Sequence, residues 1–325
     1  MPSEFRITPK TLVLFFLILF GAWLVLEIRD ILALIFIAFI FMSALRPAVD
    51  FQERLRIPRF LAIFVTYFFV FGTLFLFGQI VIPPLINETG PFLTNLPRYV
   101  SQVLPFINLD LNTVIKDVAP LGQNLVRVTL SVFSNIITVF TLVVFTFYFL
   151  LESNHLGSFL ESFVGHHWGT KVVDIIRKVE VRLGAWIRGQ LLLMFIIGVM
   201  SYFGLTMLGI NYALPLALIA GILEVVPIIG PVISAVPAVL IALTVSPGLA
   251  LAVAALYFII QQLENNLVVP QVMRKAVGLP PLASLLALMI GSRLGGTLGT
   301  ILSIPILLTL QTVLQEVIRP PRSLK

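Results

Sequence analysis

The sequence predicts an all-α polytopic membrane protein of about eight membrane segments, two of them candidate re-entrant hairpins. Three observations predict it. Apolar residues make up 59% of the 325-residue chain and charged residues only 11%, with a mean hydropathy of +1.07; a soluble chain is about a quarter charged. The apolar residues fall in runs near the ~20 residues that a helix needs to cross hydrocarbon. The basic residues sit between those runs, where the positive-inside rule expects them. The net charge of +6 therefore reads as membrane topology and not as a nucleic-acid footprint. The same composition excludes an ordinary soluble enzyme and a disordered chain.

The first run, Thr11 to Leu26, follows a short basic lead of Arg6 and Lys10. It is long for a signal-peptide core and no small-residue cleavage pattern follows, so it reads as a retained span. A charged turn, Glu27 to Asp30, separates it from Ile31–Leu45. That second run reaches only ~23 Å at 1.5 Å per residue, short of ~30 Å of hydrocarbon. It must extend into its flanks, thin the bilayer or be buried by neighbours. The stretch from Arg46 to Arg59 carries four arginines against Asp50 and Glu53 and reads as cytoplasmic. The third run, Phe60 to Ile82, is expected to end at Pro83-Pro84.

These three segments form an N-terminal unit, 1–86. An extracytoplasmic region, 87–130, follows, with balanced charges and an apolar spacing of Val114, Val118, Leu121 and Leu125 that fits an amphipathic helix. Segment four occupies 131–151. The region 152–186 is basic and cytoplasmic, with Val172, Ile175, Ile176, Val179 and Leu183 striped opposite Lys171, Asp174, Arg177, Lys178 and Arg182. That charged face reads as a solvated one. A transport core, 187–318, and a basic tail, 319–325, complete the chain.

The core begins with a fifth span, Ile187 to Leu208, and then becomes irregular. Ala213–Leu243 is broken by Pro227, Gly230 and Pro231. Leu249–Val269 carries Gln261-Gln262-Leu263-Glu264-Asn265-Asn266. Pro281–Ile318 is broken around Gly291 to Gly299. Arg188, Arg274-Lys275 and the C-terminal basic cluster all favour the inside. One arrangement satisfies them: a hairpin dipping from outside, a single crossing, and a hairpin dipping from inside. Non-helical tips at membrane depth are tolerated only where protein or a water-filled cavity satisfies the backbone. Glu224, Gly230, Ser234 and Pro237 are echoed by Arg293, Gly299, Ser303 and Pro305. The echo fits an inverted repeat, whose interface is a common transporter site.

Ionisable residues at membrane depth are costly and tend to mark a pathway. Glu224, Glu264 and Arg293 qualify. Glu224, next to Pro227, Gly230 and Pro231, could hold a proton or Na⁺, or be a structural carboxylate paired with Arg293. Gln261, Gln262, Asn265 and Asn266 flank Glu264 on two helical faces and could contact a hydroxylated solute or bind helices together. Arg293 stands beside Gly295 and Gly296. A phosphate cradle lacks its G-x-x-x-x-G-K-[ST] motif, and the Gly295-to-Gly299 spacing suits helix packing. There is no cysteine, and the three histidines, His155, His166 and His167, lie in one polar stretch. No metal site, hydrolase constellation or cofactor is indicated, so the chain is not expected to be an enzyme.

Tyr148 to Glu152, Arg188-Gly189-Gln190, Ile222 to Pro231, Gln261 to Asn266, Pro270 and the Gly278-to-Pro305 stretch resemble the bacterial autoinducer-2 exporter family. Two positions depart from its pattern: Pro280-Pro281, where a polar residue often precedes proline, and Glu152, where aspartate is common. The resemblance implies a multi-spanning inner-membrane transporter with cytoplasmic termini and a homo-oligomeric state. Its partners would be the lipid bilayer and a small polar solute such as autoinducer-2, or a monovalent cation and proton in Na⁺(Li⁺)/H⁺ antiport. A third expectation comes from a different class: a non-transporting scaffold acting through Glu152–Arg188 and Asn87–Leu130.

Overall fold

The structure, a computed structural model, describes residues 9–103, 136–153, 166–227, 229–273 and 278–318. The expected amphipathic helix at Val114–Leu125, His155, the Arg274-Lys275 pair and the basic tail lie outside these residues. Among the described residues every regular element is a helix. They are α1 (Pro9–Glu27), α2 (Arg29–Arg54), α3 (Arg59–Val103), α4 (Ile136–Glu152), α5 (His166–Met207), α6 (Ala213–Leu223), α7 (Ile229–Val245) and α8 (Pro247–Leu263). A π-helical turn, Glu264–Val268, leads into α9 (Val269–Val272), and α10 (Pro281–Ile318) follows. Five stretches are long and apolar enough to cross a membrane: Arg29–Arg54, Arg59–Leu85, Gly169–Met207, Pro247–Val272 and Leu282–Ile318.

One boundary is settled among the expected alternatives and two differ from expectation. The short second run is resolved by extension: α2 has 26 residues and continues through Pro47 into the arginine-rich stretch. Pro83-Pro84 do not end α3, which runs on to Val103. Prolines are tolerated within membrane helices where neighbouring groups take up the freed backbone. The amphipathic stretch expected to be cytoplasmic and the fifth span are one helix, α5, of 42 residues.

Pro47 explains how α2 meets α5. Proline has no N–H, so the carbonyl one turn earlier, that of Ser43, loses its helical donor. The Arg188 guanidinium supplies a replacement, donating to the carbonyls of Ser43 and Ala44 at 3.0 Å each. The approach is close enough that a Cβ on Gly184 would stand 2.2 Å from the Ser43 oxygen. Arg46, one turn before Asp50, also pairs with Glu180 of α5. At the same end, Arg59 joins α3 to its neighbours by donating to Glu53, to the Leu150 carbonyl and to Ser153.

The charged face of α5 is only partly solvated. Lys178 pairs with Glu316, and Arg182 donates to Thr312 and Gln311, all on α10. Lys171, Asp174 and Arg177 are exposed.

Both broken segments fold back on themselves. Residues seven or eight apart in a straight helix are ~10–12 Å apart. Yet a Cβ on Gly230 would lie 2.0 Å from the Leu223 oxygen, and one on Gly299 would lie 2.1 Å from the Gly291 oxygen. Side chains would forbid both contacts, which is why glycine stands there. In α10 the reversal is made at Gly296, with φ +57°. Gln311 reaches back to the Gly278 carbonyl at 3.4 Å, so the two ends of this segment lie together. Its legs pack through Gly291 and Gly299; Gly295 touches nothing within 4 Å, so the Gly295-to-Gly299 spacing does not carry the contact.

α6 and α7 form the other reversal. Ile197, Leu205, Leu216, Ala220, Ile241 and Val253 belong to one buried cluster that binds it to α5 and α8. The start of α6 is held from outside the reversal. Its N-cap residue, Tyr212, supplies no side-chain cap. The Glu88 carboxyl of α3 accepts from the Leu214 backbone instead. Burial pushes the Glu88 carboxyl above its ordinary range, and the Leu214 bond opposes that shift.

Candidate functional site

The two glutamates of the core meet. Glu224 stands at the break after α6 and Glu264 opens the π-helical turn after α8. Forty positions apart in sequence, their carboxyls lie within hydrogen-bonding reach of each other. Glu224 is 1% exposed and Glu264 5% exposed. Gln261 donates to Glu264 Oε2 at 2.9 Å, while Glu224 Oε2 has no hydrogen-bond partner. Glu224 makes no ion pair with Arg293 among the described residues, so the structural pairing of those two does not occur.

Local structure explains the meeting. The chain leaves α6 through turns closed by Val225 and Val226 onto the Ile222 and Leu223 carbonyls. The Glu224 carbonyl is then taken by Gln190 of α5, whose side-chain amide donates at 2.7 Å. Gln190 is itself 2% exposed. A π turn inserts one extra residue per hydrogen-bonded ring and rotates the residues that follow it. Gln261 and Glu264, three residues apart at the end of α8, share the inner side. Gln262, Asn265 and Asn266 face outward, with Asn266 bonded to the Gln262 carbonyl at 2.8 Å. The expected Gln261–Asn265 face is thus split: Gln261 joins the carboxyl pair, while Asn265 lies with Gln262 and Asn266 on the surface of the chain.

Arg188, Gly189 and Gln190 are three consecutive residues with three different duties. Arg188 serves the proline break of α2. Gly189 leaves room for Met273, whose sulfur would be 2.7 Å from an added Cβ. Gln190 serves the first reversal. The sequence marks this triplet as the start of a span, an inside charge and a family motif, but not as these contacts. A buried glutamine next to an arginine in an apolar run was the available signal.

The two reversals face each other across a cavity of about 670 Å³. Leu223, Val226, Ile229, Gly230 and Ile233 line one side; Leu288, Met289, Ser292, Arg293 and Thr300 line the other. Pro227 and Pro231 are half-buried beside the first break. Gly295 and Gly296 form the exposed end of the second reversal. A larger, mainly apolar cavity of about 720 Å³ lies between α10 and the start of α2. It does not include the carboxyl pair. Two buried hydroxyls, Ser201 and Tyr257, have no hydrogen-bond partner and were not singled out by sequence. Among the described residues no three His, Cys, Asp or Glu side chains gather as a metal site.

Known proteins are similar to this chain along most of its length. The model of the AI-2E family transporter matches residues 12–319. Relatives carrying the name "Putative transport protein" include YueF and YrrI of Bacillus subtilis (strain 168) and YhhT of Escherichia coli (strain K12). YueF is 28% identical over 87% of this chain and 83% of its own length. YrrI is 27% identical over 91% and 89%, and YhhT 25% identical over 85% and 82%.

Proposed function

The chain belongs to the AI-2E transporter family, and from that premise we propose that it is a secondary transporter whose Glu224–Glu264 pair couples solute movement to a proton or monovalent cation. It is a multi-pass membrane protein, and its relatives are named for transport. The carboxyl pair carries the proposal. Two buried carboxylates in contact repel strongly unless a proton or cation lies between them. A site that must be filled by a cation, at the breaks of two membrane segments, has the chemistry of a coupling site. The solute is a small polar organic molecule of the autoinducer-2 kind, moved outward across the bacterial inner membrane, with both termini cytoplasmic. The outward-facing amides of Gln262, Asn265 and Asn266 support a homo-oligomer, because polar groups facing lipid favour a protein neighbour.

The same pair favours a second reading, Na⁺(Li⁺)/H⁺ antiport, in which the bridging ion is itself the cargo. Proteoliposomes separate the two. Labelled autoinducer-2 precursor is loaded, and efflux is followed with and without an imposed pH or Na⁺ gradient. Gradient-dependent efflux is expected, and Glu224→Gln or Glu264→Gln should lower it on the order of tenfold or more. Proton movement on adding Na⁺, with no efflux, would move the assignment to antiport. Full coupled flux in both variants would sink the coupling role.

A further inference from the structure

The cavity between the two reversals holds a cation that no described residue neutralises. Arg293 lines it, and among the described residues the guanidinium makes no ion pair and no side-chain hydrogen bond. Glu224, the residue best placed by sequence to pair with it, is turned toward Glu264 instead. No acidic residue lines the cavity. Ser292 stands beside Arg293 with its hydroxyl uncommitted, whereas the Thr300 hydroxyl already donates to the Gly296 carbonyl at 2.9 Å. The remaining walls are apolar. Arg293 and Ser292 are both exposed within this open cavity, and the planar fork of guanidinium donors fits carboxylate or phosphate oxygens.

We propose that this cavity is the subsite for the anionic group of a small organic solute, a carboxylate or phosphate, held by Arg293 and Ser292 with the apolar body of the solute against Leu223, Val226 and Leu288. The proposal rests on the transport reading and narrows it from any polar solute to an organic anion. A volume of about 670 Å³ suits a small metabolite. The first break serves both sites: Leu223 and Val226 line the cavity while Glu224, between them, turns to the carboxyl pair. A filled subsite and a filled carboxyl pair are thus felt by the same few residues. A lipid headgroup offers the same phosphate chemistry but the wrong depth. Counted along its leg from Pro281, Arg293 would stand ~18 Å into ~30 Å of hydrocarbon, where headgroups do not reside.

The test reads binding without transport. The full chain is placed in neutral phosphatidylcholine nanodiscs and treated with phenylglyoxal, which modifies arginine. Modification of Arg293 and of exposed Arg177 is followed by peptide mass spectrometry. Inorganic phosphate, succinate and glycerol are compared at matched ionic strength. Phosphate and succinate should protect Arg293 by 1 + [L]/Kd, about five-fold at about four times Kd, and leave Arg177 unchanged. Ser292→Ala should weaken that protection without altering the unprotected rate at Arg293. No protection, equal protection at Arg177, or equal protection by glycerol would overturn the assignment. Protection that appears only when phosphatidylglycerol is added would also overturn it, in favour of a lipid occupant. Protection is read on the parent chain with no gradient imposed, so loss of gradient-coupled flux in Glu224→Gln and loss of anion protection at Arg293 are scored independently.

Discussion

At the scale of single residues, the site is a set of polar groups each completed by something distant. Glu224 and Glu264 complete each other and want a third party between them. This makes stability and activity move apart. Replacing one carboxyl by an amide removes a buried repulsion while keeping shape and hydrogen-bonding capacity. Glu264→Gln is therefore expected to melt no lower than the parent chain, in thermal unfolding of purified protein, while its coupled flux falls. A clear loss of melting temperature would mean the pair is structural. Sequence alone reached these residues by a single rule, that charges in apolar runs are rarely idle. It could not pair them, because nothing local links position 224 to position 264. It tied Glu224 to Arg293 as the bland alternative, since opposite charges attract on paper. It had no means to see that Gln190 takes the Glu224 carbonyl, a contact made by backbone that only exists once α6 has ended.

At the scale of elements, the reversals depend on glycines whose neighbours are backbone atoms. Gly299→Ala would press a methyl onto the Gly291 carbonyl. Overpacking of this kind costs about 1–3 kcal/mol, and backbone cannot move aside as a side chain can. Gly295→Ala meets open space and a negative φ, and should be neutral or slightly stabilising. Comparing the two variants by thermal unfolding in one detergent checks this; equal melting temperatures would contradict the tight crossing of the legs. The reversals were legible in advance because Pro and Gly interrupt an apolar run at a fixed place. The π-helical turn at Glu264 was not. Its sequence reads as an ordinary helix, and the added residue is a matter of hydrogen-bond register that no residue type announces. That is why Gln261 and Asn265, which share a face in an ordinary helix, part here: Gln261 is inside and Asn265 outside. The long helices were misjudged for a similar reason: Pro83-Pro84 and the change from charged to apolar at residue 187 look like ends, but tertiary neighbours carry the helix through.

At the scale of the whole molecule, the charge pattern and the two reversals make one topology. Gly248, in the first turn of α8, should face outside, and Gly278, before α10, should face the cytoplasm. Both positions are exposed and open, and the chain has no native cysteine to interfere. Gly248→Cys is expected to react with an impermeant maleimide added to intact cells, and Gly278→Cys only after the membrane is breached. Labelling of both from the same side would break the arrangement of one hairpin from each face. Composition alone sufficed for the membrane class and the helical architecture, because the bilayer permits few alternatives. The meeting of the two tips was beyond it. The triplet Arg188-Gly189-Gln190 carries one consequence for how such a chain is made. Arg188 bonds backward, to carbonyls of α2 that left the ribosome about 145 residues earlier. Gln190 bonds forward, to a carbonyl that emerges 34 residues later. The N-terminal helices can thus be fastened to α5 while the reversals are still being synthesised. During that interval the Gln190 amide waits unpartnered in the half-built protein, and a chain stopped there would expose that amide as a mark of its incompleteness.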